Sequence, residues 1–192
     1  MSLSYLQIWI MIPLITDVCF SFMSRQNLDI IRKNPDIQFI WQTGKIYIEQ
    51  VRDAITTATG EAVHHPHISA LPNLYVTDFI KDMANAYAAA DLVISRAGAG
   101  SISEFCLLHK PVILVPSPNV AEDHQTKNPL ALVDKDAAIY VKDAEAKEKL
   151  LSVALETVKD NEKLKALSNN IAKLALPDSA TVIAKEVLKL IK

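Results

Sequence analysis

From Asp36 onward, short runs with no polar face alternate with stretches of helical periodicity. IQFIWQ (Ile37–Gln42), NLYVT (Asn73–Thr77), DLVIS (Asp91–Ser95), PVILVP (Pro111–Pro116) and AAIYV (Ala137–Val141) read as strands. Lys45–Thr59, Asp82–Ala90, Ser101–His109 and Asp123–Asp134 read as the helices between them. A strand that is apolar throughout has to be covered on both faces. Strands separated by helices pair in parallel through crossovers. The pattern therefore predicts a Rossmann-like α/β fold, a parallel sheet with helices on both faces. After Lys142 the chain is wholly helical, over Ala144–Lys159, Asn161–Leu174 and, beyond Pro177, Ser179–Ile191. Leu150, Leu151, Leu155, Val158, Leu164 and Leu167 supply the apolar spacing of the first two. No repeat or low-complexity linker divides the chain, so it reads as one domain.

The start is less regular. Tyr5–Met23 (YLQIWIMIPLITDVCFSFM) is apolar enough to suggest a membrane segment, but Gln7, Pro13 and Asp17 interrupt it. No Lys or Arg precedes it and no small-residue cleavage site follows. A buried first strand with its turn is the better reading. Residues 1–33 are thus expected to form an atypical opening strand and helix, and 34–192 the body of the domain.

With 192 residues, half of them hydrophobic, the chain can bury a core. A net charge of -2 with intermixed signs leaves no basic stripe, which argues against a nucleic-acid partner. Cys19 and Cys106 have no CxxC or CxH companion and suit a reducing, cytoplasmic setting as small buried groups. His64, His65 and His67 share a loop with Pro66, without a carboxylate or Cys at ligand spacing, so neither metal nor cofactor is expected. The Lys-rich C-terminal helices read as solvated faces.

Ligands of such sheets bind at the carboxyl ends of the strands, which directs attention to three segments. After Ser95 comes RAGAGSISE (Arg96–Glu104), where a strand ends in two glycines and a helix begins at once. A glycine-lined helix N-terminus favours an anion such as a diphosphate, and Glu104 can accept hydrogen bonds from ribose hydroxyls. An alternative needs no ligand: Ser101-x-x-Glu104 has the form of a capping box. The spacing is not GxGxxG, which argues against a dinucleotide. After Pro116, a polar loop leads to Glu122, Asp123, His124, Gln125 and Asn128, amide and imidazole groups suited to sugar hydroxyls. An ordinary surface loop gives the same pattern, and Pro129 would disturb the first helical turn there. After Thr77, Phe79 and Met83 can clamp a flat base, or simply belong to the core.

In this order the three segments resemble the MurG family of bacterial transferases, whose members add N-acetylglucosamine to lipid I. The F-I-x-D-M, R-x-G-A-x-x-x-S-E and D-H-Q-x-x-N runs carry the likeness, over Asn34–Lys192. The resemblance implies the C-terminal, donor-binding half of a GT-B glycosyltransferase that uses UDP-N-acetylglucosamine in peptidoglycan synthesis, with its ties to cell shape and division. It places Phe79, Ile80 and Met83 around the uracil, with the Ile80 backbone reading its edge. Ala99, Gly100 and Ser101 would lie at the diphosphate, Glu104 at the ribose, and His124, Gln125 and Asn128 at the sugar. Arg96 occupies a family position of the pocket without an assigned role.

Two departures accompany the likeness. The family's donor domain opens on a GGSxGA turn, whereas Tyr5–Leu28 has no glycine. The N-terminal acceptor domain, which carries the family's candidate base and its membrane-associating surface, has no counterpart. The expectation is an excised or divergent donor domain that is inactive alone, with no catalytic residue of its own. Its full enzyme would be peripheral on the cytoplasmic face of the inner membrane, reaching lipid I through the missing domain. Two other readings are a single-domain subunit that pairs with a membrane-bound acceptor subunit, and half of a UDP-N-acetylglucosamine epimerase. A Rossmann-like domain for some other nucleotide is the generic alternative.

Overall fold

The computed structural model describes residues 6–11, 24–60, 71–117 and 124–190, with backbone alone at 9–11 and 124–128. Six parallel strands form one sheet in the order β3-β2-β1-β4-β5-β6. They are β1 (Leu6–Met11), β2 (Ile37–Gln42), β3 (Leu74–Thr77), β4 (Leu92–Ser95), β5 (Val112–Leu114) and β6 (Ile139–Tyr140). The helices among the described residues are α1 (Arg25–Arg32), α2 (Ile48–Thr59), α3 (Met83–Ala89), α4 (Ala99–Leu107), α5 (His124–Val133), α6 (Asp143–Lys159), α7 (Asn161–Ala172) and α8 (Ser179–Leu190). The Rossmann-like reading of the sequence is what the chain adopts.

Leu6–Met11 is a central strand. Ile8 pairs with Phe39 on one side and with Leu92 on the other. The chain order reverses between β1 and β4, and that switch point opens the crevice in which such sheets hold ligands. Met11 and Ser95 are register partners at the carboxyl ends of those two strands.

The pleat sends alternate residues into two cores. Ile8, Phe39, Trp41, Leu92 and Ile94 pack with α1, α2 and α6 through Ile31, Val51, Ile55, Leu150 and Val158. Val93, Val112 and Leu114 pack with α3, α4, α5 and α7 through Tyr87, Phe105, Leu132 and Ile171. Strands β4 and β5, buried at every position, therefore need apolar residues in succession, which is why they read as unbroken runs. Cys106 belongs to the second core, where burial pushes its thiol pKa up. Cys19, His64, His65 and His67 lie outside the described residues.

Several boundaries differ from the sequence reading, for local reasons. Residues 45–47 form a turn instead of the first turn of α2, because Gly44 sits at φ +82 and breaks the chain direction. β5 stops at Leu114 instead of Pro116, since the Val115 and Pro116 carbonyls accept hydrogen bonds from Arg96 at 3.1 Å. Helix α4 begins at Ala99, two residues before Ser101. No helix among the described residues is long and apolar enough to cross a membrane.

Candidate functional site

The loop after β3 is built by backbone and short polar groups. Thr43 N–H donates to Thr77 O at 2.9 Å, and Gly44 N–H to Asp78 O at 3.0 Å. Thr77 Oγ1 donates to Phe79 O at 3.2 Å, and Asp78 Oδ1 accepts from Phe79 N–H at 2.7 Å. These bonds turn the chain so that the Phe79 ring stands 57% exposed at the rim of a cavity of about 630 Å³. Phe79 and Ile80 line that cavity together with Tyr75, Asp82, Asn85 and Ala89. Met83, expected either to clamp a base with Phe79 or to belong to the core, is half-buried and, like Ile80, packs against the second core. The Ile80 backbone, expected to read the base edge, donates through its N–H to Gln42 Oε1 at 2.9 Å. Asp82 caps α3, accepting from Asn85 N–H at 3.1 Å.

The turn after β4 leads straight into α4. Its N-cap is Gly98, with no side-chain cap, so the capping box read from Ser101 and Glu104 does not form. Ser101 lies within the helix, and Glu104 is taken by Tyr87 instead, whose hydroxyl donates to Glu104 Oε2 at 3.1 Å. Among the described residues no side chain caps the first turn of α4, the arrangement that draws an anion to a helix N-terminus. Neither Gly98 nor Gly100 has a positive φ, and a Cβ at Gly100 would meet nothing within 4 Å. The fold does not demand glycine here; the small residues keep the first turn of α4 open to approach. Ala99 and Gly100 are exposed, and Ser101 half-buried.

Arg96 does not point outward as a spare cation. Its Nη1 reaches the carbonyls of Val115 and Pro116 at 3.1 Å and the carboxylate of Asp143, the first residue of α6. The two side chains are only 15% and 14% exposed. Asp143 also sits where a helix dipole favours a negative charge. Arg96 thus braces the ends of β4 and β5 and the start of α6. The backbone of His124, Gln125 and Asn128 lies in the first half of α5, a helix that continues through the buried Pro129; their side chains lie outside what is described.

Two bonds join what the sequence kept apart. Tyr87, one turn past Met83, ties the Phe79 segment to α4 through Glu104, and Arg96 ties the α4 turn to the start of the Pro116 segment. Sequence reasoning missed Gln42, Tyr87 and Asp143. Gln42 left a signal, a polar side chain at the carboxyl end of a strand just before Thr43-Gly44. Tyr87 and Asp143 left none, because their partners are 17 and 47 positions away.

The sheet order, with its switch point between β1 and β4, and a helix start that no side chain among the described residues caps define a doubly wound α/β domain. More particularly, the chain belongs to the glycosyltransferase family 28 C-terminal domain, whose family model matches residues 19–183. Over 163 residues it is 74% identical to the UDP-N-acetylglucosamine--N-acetylmuramyl-(pentapeptide) pyrophosphoryl-undecaprenol N-acetylglucosamine transferase of Bacteroides thetaiotaomicron, covering 85% of this chain and 41% of that protein. The chain thus spans about two fifths of the length of the curated relatives it matches. The crystal structure of Acinetobacter baumannii MurG superposes with a TM-score of 0.71 at 24% identity, over 96% of this chain and 52% of that one. A UDP-GlcNAc 2-epimerase from Neisseria meningitidis, bound to UDP-GlcNAc, gives 0.68 at 14% identity over 98% and 46%. At those identities the two structures establish the shared fold.

Proposed function

We propose that this chain, over 34–192, is the donor-binding half of an inverting transferase that moves N-acetylglucosamine from UDP-N-acetylglucosamine to lipid I, making lipid II for peptidoglycan. The observation that carries the reading is the α4 turn. It is a helix start at the switch point that no side chain among the described residues caps, with Glu104 one turn in and tied to the Phe79 segment. The 74% identical relative, named for this transfer, supports the choice of sugar and acceptor.

In this reading Phe79 and the Ile80 backbone receive the uracil, with Gln42 yielding the Ile80 N–H on binding. The amides of Ala99, Gly100 and Ser101 face the diphosphate, Glu104 the ribose, and His124, Gln125 and Asn128 the sugar. Met83 and Arg96 shape the pocket from behind. In the transfer, an acceptor hydroxyl oxygen forms its bond to the anomeric carbon from the side opposite the diphosphate. The bond from that carbon to the diphosphate breaks with its electron pair on UDP. The α4 amides stabilise the charge that builds there. The hydroxyl proton passes to a base on the acceptor side, for which no residue of this chain is assigned. The acceptor side would be a second, N-terminal domain that brings the enzyme to the cytoplasmic face of the membrane.

Calorimetric titration of the chain with UDP, UDP-N-acetylglucosamine and NAD tests the reading. Saturable binding of the two uridine ligands and none of NAD is expected. Absence of UDP binding overturns the proposed function. Binding of NAD in place of UDP transfers the site to a dinucleotide.

A further inference from the structure

Tyr87 belongs to the apolar cluster beneath α4. It is 4% exposed, and its ring meets Phe105 edge to face, with centroids 5.9 Å apart and an interplanar angle of 83°. Its polar atom nevertheless reaches the surface, where Oη donates to Oε2 of the exposed Glu104 at 3.1 Å. Burial, and then the charge of Glu104, push the phenol pKa well above its ordinary 10.0, so the group remains a donor throughout the working range. The donor is held by packing, while the acceptor sits on a long, rotamer-rich side chain at a helix surface. The bond engages one oxygen of an exposed carboxylate, which has further acceptor capacity at its other oxygen. A pair of vicinal hydroxyls offers two donors, which a carboxylate already held in one orientation can accept without further ordering.

We infer that Tyr87 is a positioning residue for nucleotide binding, acting through Glu104 to hold its carboxylate for the vicinal hydroxyls of a ribose and so to favour ribonucleotides over their deoxy counterparts. The inference rests on the ribose role proposed above for Glu104. Removing the hydroxyl while keeping the ring isolates the effect, because Tyr87→Phe preserves the contact with Phe105.

The experiment measures the affinity of UDP and of 2′,3′-dideoxy-UDP for the unsubstituted chain, Tyr87→Phe, Glu104→Ala and the double variant. Thermal melting serves to check that each is folded. Tyr87→Phe is expected to weaken UDP by between about twofold and tenfold, the range for leaving one long side chain unordered. It should leave dideoxy-UDP unchanged and add nothing in the Glu104→Ala background. Equal weakening of both nucleotides would show a merely structural tyrosine and overturn the inference. So would an unchanged UDP affinity in Tyr87→Phe while Glu104→Ala weakens it. If Glu104→Ala itself leaves UDP binding intact, the ribose role fails, and this inference with it.

Discussion

Asn73 shows how one side chain can hold distant parts of the chain in place. It is 3% exposed, and its Nδ2 reaches the carbonyls of Ile31, Asn34 and Ile37 at 2.9, 2.9 and 3.0 Å. One amide thus closes the end of α1 onto the start of β2, adding to the backbone bonds that the Ile31 and Asn34 carbonyls accept from Asn34 N–H and Ile37 N–H. Asn73→Ala is expected to lower stability by about 1–3 kcal/mol, read as an earlier urea midpoint with an unchanged slope. From the sequence this residue was legible as the start of a strand and no more. The same holds for Arg96, Gln42 and Tyr87, whose roles come from partners that local spacing cannot reveal. Phe79, by contrast, was legible either as one side of a base clamp or as core, and it stands exposed at the cavity rim.

At the scale of the element, the α4 turn is where reading and structure diverge most usefully. The segment was singled out for its two glycines, yet the glycines with positive φ are Gly44 (+82) and Gly60 (+74), where a turn and a helix end require them. Gly100, in the first turn of α4, is neither strained nor crowded. Gly100→Ala should therefore leave the melting temperature level or raise it, since alanine is favoured over glycine within a helix by up to about 1 kcal/mol. The added methyl projects from the turn that the proposed diphosphate approaches, so UDP affinity should fall in the same variant. A stability loss with unchanged affinity would contradict both statements. The capping box failed for an element-level reason as well. Helix α4 starts at Ala99, which puts Ser101 inside it and frees Glu104 for the neighbouring α3.

For the whole molecule, the last helix stands apart from the two cores. Helix α8 buries none of its residues and leaves Val182, Ile183, Val187 and Leu188 between 50% and 65% exposed. A chain ending at Pro177 should therefore lose less than about 1 kcal/mol, a fall in melting temperature of no more than about 4 °C. A larger fall would show that α8 contributes to the core. The sequence by itself determined the layered α/β class, the order of strands and helices, and the three loops worth inspecting. Those follow from local rules, namely apolar runs for strands covered on both faces, helical periodicity between them, and glycine or polar clusters at strand ends. Only the tertiary structure decided that Leu6–Met11 lies at the centre of the sheet, between β2 and β4. It alone also decided that Arg96 is a brace and Tyr87 the partner of Glu104. Pairing and packing join residues far apart in the chain, and their energies depend on three-dimensional neighbours that a linear pattern does not contain.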